Sequence, residues 1–235
     1  MLKTVLASQN AHKAEEFAHA VNGVEVMPAP FGVDVDENAD TFIGNACLKA
    51  RAYASALGVN TLADDSGLCV DALGGAPGVH SQRYAVIPPD VDDDPDRTAA
   101  NNRKLLRQLT GVASEDRTAY FACALCLCIV NPADMDKVRQ NAVLREAARF
   151  YRSGDVACSA DDADAVRAEI VLEGRASGVI LDAPAGEAGF GYDPLFFSPE
   201  AGCTFAQLTQ AQKLAVSHRG RAIAQLRALF DKAEW

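Results

Sequence analysis

Apolar and polar positions alternate along this chain in two periods, one of strands and one of helices. Thr4-Val5-Leu6-Ala7 reads as a strand. Ala14, Phe17, Ala18 and Val21 then recur at i, i+3, i+4, i+7, the face of a helix, with Asn10 as its candidate N-cap. A second helix is expected from about Thr41, burying Ala46, Ala50, Tyr53, Ala54 and Leu57. Thr61 to Ala63 predicts a short strand that delivers Asp64 and Asp65 at its C-terminal end, where α/β folds tend to bind ligands. Ala99 to Leu109 predicts a helix and Thr118 to Val130 a long strand, while Leu73-Gly74-Gly75-Ala76-Pro77-Gly78 can only be loop. Val171-Leu172 and Val179 to Leu181 suggest paired strands around Gly174 to Gly178. Thr209 and Gln212 form a capping box ahead of Lys213, and a last helix is expected from Ser217 to about Asp231, burying Ala222, Leu226, Leu229 and Phe230.

Alternating elements of this kind predict an α/β fold. The chain reads as one domain, 1–235, with a probable insertion at about 131–168, where Val143, Ala147 and Phe150 line one side of a charged helix. The net charge of −10 argues against nucleic acid and anionic membrane as main partners. Ala119 to Val130 is too short an apolar run to span a bilayer as a helix. The strand-like start leaves no signal-peptide layout, and the seven cysteines, an odd number, suit reduced thiols; a cytoplasmic protein is expected. Cys123 and Cys126 have redox-pair spacing but sit in an apolar strand, where cysteine behaves as a small hydrophobe.

Three groups of residues can carry chemistry. Asp64 and Asp65 repel each other unless exposed or neutralised by a cation, and with Glu37 they offer oxygen-only ligands. Such ligands suit Mg²⁺ held partly by substrate phosphates, and a carboxylate there can also act as a general base toward water. A solvated turn is the competing reading of Asp64-Asp65-Ser66-Gly67. Next, Lys13 and Arg219 would fall in the first turns of helices, where a cation is disfavoured by about 0.3–1 kcal/mol; an anion bound at the same place removes that penalty. Finally, Phe190-Gly191-Tyr192-Asp193 sets rings beside exposed amides, suited to stacking a base and reading its edge. Lys49 is a further cation on the second helix. Asp92-Asp93-Asp94 and Asp161-Asp162 read as solvated loops, and the histidines offer no readable nucleophile triad.

Taken in order, these segments form a set. Ser8-Gln9-Asn10-Ala11-His12-Lys13 is followed by Glu37, Thr41-Phe42-Ile43-Gly44-Asn45-Ala46 and Lys49-Ala50. Ala63-Asp64-Asp65-Ser66-Gly67-Leu68, Leu73 to Val79 and Ser81-Gln82-Arg83-Tyr84 come next, then Gly189 to Pro194 and Ser217-His218-Arg219-Gly220. In this order the chain resembles the inosine triphosphate pyrophosphatase family over Leu2 to about Leu229, the 131–168 block excepted.

The resemblance implies an elongated two-lobed α/β fold around a long central mixed sheet, with a nucleotide-binding cleft between the lobes, and a homodimer. It implies hydrolysis of dITP, ITP or XTP between the α- and β-phosphates with Mg²⁺, releasing the monophosphate and pyrophosphate. Asp65 would be the general base, and Glu37, Asp64 and Asp65 the metal carboxylates. Ser8, Gln9, Asn10, Ala11, His12 and Lys13 would cradle the phosphates with Lys49 and Ser66. Phe190, Gly191, Tyr192, Asp193, Lys213, His218 and Arg219 would hold the base and sugar. Donors aimed at the 6-keto oxygen would be left unpaired against adenine, a penalty of ~1–3 kcal/mol. Two positions depart from the family: Gln9 stands where Gly is usual and Gly44 where Glu is usual. Two alternatives remain open from sequence, a pyrophosphatase for other modified nucleotides and a regulator that binds a nucleotide without cleaving it.

Overall fold

The structure, a computed structural model, describes residues 1–8, 16–17, 22–85 and 97–235. Among these, nine strands join in one mixed sheet: β1 (Leu2–Leu6), β2 (Val24–Pro28), β3 (Thr61–Val70), β4 (Thr118–Ile129), β5 (Ala148–Tyr151), β6 (Ala157–Cys158), β7 (Arg167–Ile180), β8 (Phe196–Ser198) and β9 (Cys203–Thr204). The spatial order is β2-β1-β3-β4-β7-β5-β6, with β8 on β7 and β9 on β8. β1 runs parallel to β2 and β3, while β5, β6, β7, β8 and β9 pair antiparallel. The helices are α1 (Phe42–Leu57), α2 (Arg97–Gln108), α3 (Pro132–Gln140), α4 (Ala142–Ala147), α5 (Gln210–Val216) and α6 (His218–Lys232). The expected first helix, with Asn10, Ala14, Ala18 and Val21, lies outside the described residues, although Phe17 is fully buried.

Contacts divide the chain into two units. The first comprises 1–65, 124–174 and 222–235, the second 66–123 and 175–221. In the first, α1 lays Ala46, Cys47, Ala50, Tyr53 and Ala54 on Ala63 of β3 and on Ala124, Cys126 and Cys128 of β4. These small side chains let a helix lie close to a sheet. Thr41 caps α1 by accepting the Gly44 N–H at 3.0 Å, and Gly58 ends it in the left-handed region that glycine adopts without strain. The second unit is built on aromatic rings: Phe121, Phe196 and Phe205 pack with centroids 4.8 to 5.8 Å apart among Leu68, Val70, Leu105 and Leu109.

Four sequence expectations need correction. β3 does not stop at Ala63 but continues to Val70, so Asp64 and Asp65 stand in mid-strand rather than at a turn. The expected pair of strands around Gly174 to Gly178 is one strand of 14 residues, β7, because glycine permits a turn without requiring one. Gly178 instead accommodates β8, since a Cβ there would lie 2.4 Å from Phe197 O. The single helix expected through Val143, Ala147 and Phe150 ends at Ala147; Phe150 belongs to β5, and Leu144 is the buried residue of α4. The strands β8 and β9 were not expected at all; both are too short to show a period.

Candidate functional site

In the first unit the acidic strand residues meet the face of α1. Asp64 is 1 % exposed and Asp65 half-buried. Asn45 and Lys49 are one turn apart on α1 and therefore share a face. Asn45 donates its amide to Asp65 Oδ2 at 3.2 Å and accepts the Ala39 N–H at 2.9 Å. Lys49 Nζ donates to Asp64 O at 3.2 Å and pairs with Glu37 at 2.9 Å. Burial alone would push the Lys49 ammonium down, but Asp64, Glu37 and Asp65 more than offset this and hold it above its ordinary value. Glu37, Lys49, Asp64 and Asp65 are thus brought into one connected group. Asn45 belongs to it as well, a residue that sequence reasoning quoted without giving it a task. The i, i+4 spacing to Lys49 was the signal that could have found it.

Ser8 follows β1. The parallel register Leu6↔Leu62, with Ala7 N–H donating to Leu62 O at 2.8 Å, carries the chain at Ser8 to the level of Asp64. Gln9, Asn10, Ala11, His12 and Lys13 lie outside the described residues. Asp92, Asp93 and Asp94 do too. Asp161 and Asp162 pair with Arg145 and Arg152 at 2.6 and 2.5 Å.

The second unit gathers the remaining candidates. Asp193 Oδ2 accepts both the Lys213 ammonium, at 2.6 Å, and the Phe190 N–H, at 2.8 Å. The carboxylate therefore latches the 190–193 loop to α5. Burial pushes the Asp193 carboxyl above its ordinary value, against the pull of Lys213, the Phe190 N–H and Arg219. Lys213 lies 4.4 Å over the Phe190 ring, a cation–π contact, and that ring keeps 38 % of its surface exposed. Gly191 has φ +61 and open space where a Cβ would be, while Tyr192 points inward and donates to Ser81 O at 2.8 Å. Tyr192 is thus a support of the loop rather than a free stacking surface.

Ser217 accepts the Gly220 N–H at 3.1 Å and starts α6, so His218 and Arg219 are its first residues. Only glycine fits at 220, since a Cβ would sit 1.6 Å from Leu214 O. His218 stacks on Phe121 at 4.8 Å and 13°. Arg219, 1 % exposed, donates to Ser66 Oγ at 3.4 Å. Ser66, Phe190, Gly191, Asp193, Lys213, His218 and Arg219 are therefore all in the second unit, and Phe121 is an addition that the sequence did not single out.

The oxygen-only character of Glu37, Asp64 and Asp65 fits Mg²⁺, which binds through one or two carboxylates and takes its other ligands from water and phosphate. Glu37 is paired with Lys49, so an internal cation shares the acidic field.

The sequence pattern defining the Ham1 family matches residues 4–229. The chain is 41 % identical to the dITP/XTP pyrophosphatase of Geobacillus kaustophilus over 96 % of its own length and 93 % of that protein's. It is 42 % identical to the dITP/XTP pyrophosphatase of Bordetella pertussis, over 95 % and 89 %. Among solved structures, the Ham1 protein of Staphylococcus aureus is similar with a TM-score of 0.70 and 33 % identity, covering 98 % of both chains. The HAM1 protein of Coxiella burnetii is similar with a TM-score of 0.71 and 32 % identity, covering 99 % of this chain and 100 % of that one.

Proposed function

From its membership of the Ham1 family, to which this chain belongs, we propose that it hydrolyses noncanonical purine nucleoside triphosphates, dITP, ITP and XTP, to the monophosphate and pyrophosphate. The single observation that carries this reading is the connected group of Asp65, Asn45, Lys49, Glu37 and Asp64, found in a chain about two-fifths identical to proteins named for that activity.

In this reading Asp65 takes the proton of the attacking water. Asn45 fixes the orientation of the carboxylate through its amide. Glu37, Asp64 and Asp65 would hold Mg²⁺, which when bound neutralises phosphate charge and orients the water. Lys49, paired with Glu37, would also offer its ammonium to a phosphate oxygen. Ser8 to Lys13 and Ser66 would hold phosphates. Phe190 would stack the base, on a ring backed by Lys213, while Gly191 and Asp193 shape its loop, Tyr192 braces it and His218 and Arg219 reach the base and sugar. A homodimer is part of the same proposal, as is a cytoplasmic location. Among the described residues no helix is long and apolar enough to cross a membrane.

The test is a substrate panel with product identification. Incubation with dITP and Mg²⁺ is expected to yield equal amounts of dIMP and pyrophosphate, with dATP and dGTP turned over far more slowly. Orthophosphate as the product, or intact dITP, overturns the proposal.

A further inference from the structure

Cys47 lies on α1 between Asn45 and Lys49, but two residues along a helix is more than half a turn, so its side chain leaves on another side. It enters the core beside Cys126 of β4, and Glu169 of β7 completes a trio. The two sulfurs and a Glu169 oxygen all lie within 4.8 Å of one another. Cys126 turns to the opposite face of the strand from Cys123, as strand geometry requires of residues three apart. The partner of Cys126 is therefore on a different element from the one its sequence spacing suggested.

Two thiols and a carboxylate are a ligand set for a zinc-like cation, but the surroundings argue against one. Glu169 accepts from Arg51 through both oxygens, at 2.7 and 2.9 Å, and from Arg167 at 2.6 Å. A metal would have to displace these donors and sit beside two guanidinium charges. The same charges favour a thiolate. The hydrogen bond from Cys126 lowers the Cys47 thiol from its ordinary value, with Arg51 and Arg149 adding to this against burial and Glu169. The hydrogen bond with Cys47, and then burial, push Cys126 well up, and burial pushes Cys128, on the same strand face, up to about 12. The trio thus sets a thiol lowered from its ordinary value beside one raised above it, with Cys47 still 9 % exposed.

We propose that Cys47 and Cys126 are a peroxide-oxidisable pair that closes into an intrachain disulfide. The Cys47 thiolate attacks a hydroperoxide oxygen, the O–O bond breaks, and the departing oxygen leaves as water or alcohol after taking a proton. The product is a sulfenic acid at Cys47. Cys126 then displaces the sulfenic oxygen, its own proton leaves with that oxygen as water, and the S–S bond forms. Two thiols are oxidised by two electrons and one peroxide is reduced. The sulfurs must close to about 2.05 Å, which draws α1 toward β4 at a point two residues from both Asn45 and Lys49. The inference concerns thiol chemistry and stands apart from the proposed hydrolysis.

The test is peptide mapping of the whole folded chain after graded hydrogen peroxide and alkylation of the remaining thiols. The expected result is a Cys47–Cys126 linked peptide that disappears on treatment with dithiothreitol. In Cys126→Ser the reaction is expected to stop at a sulfenic acid on Cys47 that dimedone labels, while Cys47→Ala gives no product at Cys126. Oxidation confined to the half-buried Cys158 and Cys203, with Cys47 and Cys126 still reduced, overturns the proposal. So does stoichiometric Zn²⁺ binding by the wild type that Cys47→Ala abolishes. The wild-type map decides the matter even if a variant fails to fold.

Discussion

Asn45 donates its side-chain amide to Asp65 Oδ2 at 3.2 Å, tying the start of α1 to the middle of β3. The same side chain accepts the Ala39 N–H, so its orientation is fixed from both ends. A carboxylate held in this way presents its remaining lone pairs in a fixed orientation. Asp65→Asn is expected to retain nucleotide binding and to lose about 10²- to 10⁴-fold in turnover, the range of a general base. Asn45→Ala keeps the base but frees its rotation, and should lower kcat by roughly tenfold or more through lost orientation. Pyrophosphate release and equilibrium binding of dITP check both. Undiminished turnover of Asp65→Asn removes Asp65 from the mechanism.

Lys49 is held above its ordinary value because Asp64, Glu37 and Asp65 outweigh the cost of its burial. A lysine raised in the folded state contributes stability that is complete below its unfolded value, near 10.4. That contribution is lost only as pH rises through the folded value, so urea midpoints of wild type and Lys49→Met should differ by a constant amount at neutral pH and converge only in strong alkali. The substitution also removes a cation from Glu37. Mg²⁺ binding without nucleotide, followed by calorimetry, is therefore expected to be tighter in Lys49→Met than in the wild type, although hydrolysis falls.

Asp193 is shifted in the same direction as Lys49, but here burial is the cause and the charge is the opposite one. Burial raises its carboxyl, so between the unfolded value near 3.9 and the raised folded one the folded chain holds the extra proton. Its contribution to stability is greatest below the unfolded value and falls as pH rises through the folded value. Protonation also cancels the charge that holds Lys213 and loosens the Phe190 loop. KM for dITP should therefore rise on acidification at a higher pH than an unperturbed aspartate would give, and this acid limb should be missing in Asp193→Asn. An unchanged profile in that variant discards the latch.

Phe121 stacks on His218 and on Phe205, with ring planes within 13° and 11° of parallel. Phe121→Leu keeps an apolar side chain of similar reach but removes the flat support, worth about 0.5–1.5 kcal/mol per aromatic pair. The expected outcome is a raised KM with kcat nearly kept, the signature of lost ground-state binding. A loss in kcat alone would place His218 among the groups acting on the reaction rather than on binding.

Local signals were read from the sequence where the chemistry is local. The Thr209–Gln212 box, the start of α6 at Ser217 and the stripe of α1 are set by residues within four positions of each other, and all are present. What the sequence hid depends on long-range pairing. β3 continues through two adjacent acids because Lys49 and Asn45 neutralise and bond them from 15 and 20 residues away. β7 continues past its glycines between partners on either side of them, β5 at Arg167 to Ile170 and β8 at Val179 and Ile180, with β4 as a further neighbour in the sheet. The pairing of Asp193 Oδ2 with Lys213, 20 residues on, was likewise not legible in the sequence.

Gly44 stands where the resemblance leads one to expect Glu, and the structure leaves little room for a side chain there. A Cβ at this position would lie 2.6 Å from Ala39 Cβ and 3.1 Å from Thr41 Oγ1. Ala39 cannot yield easily, because its N–H is bound to Asn45, and Thr41 is the cap of α1. Restoring the usual acid with Gly44→Glu should therefore destabilise by about 1–3 kcal/mol through overcrowding, and Gly44→Ala by nearly as much, since the Cβ is the cause. Ala39→Gly removes the opposing methyl, so the double variant Ala39→Gly, Gly44→Glu should regain most of the lost urea midpoint. Neighbouring substitutions that share a clash are expected to be non-additive in this direction. If Gly44→Glu is already as stable as the wild type, the close approach of Ala39 is not what keeps glycine here.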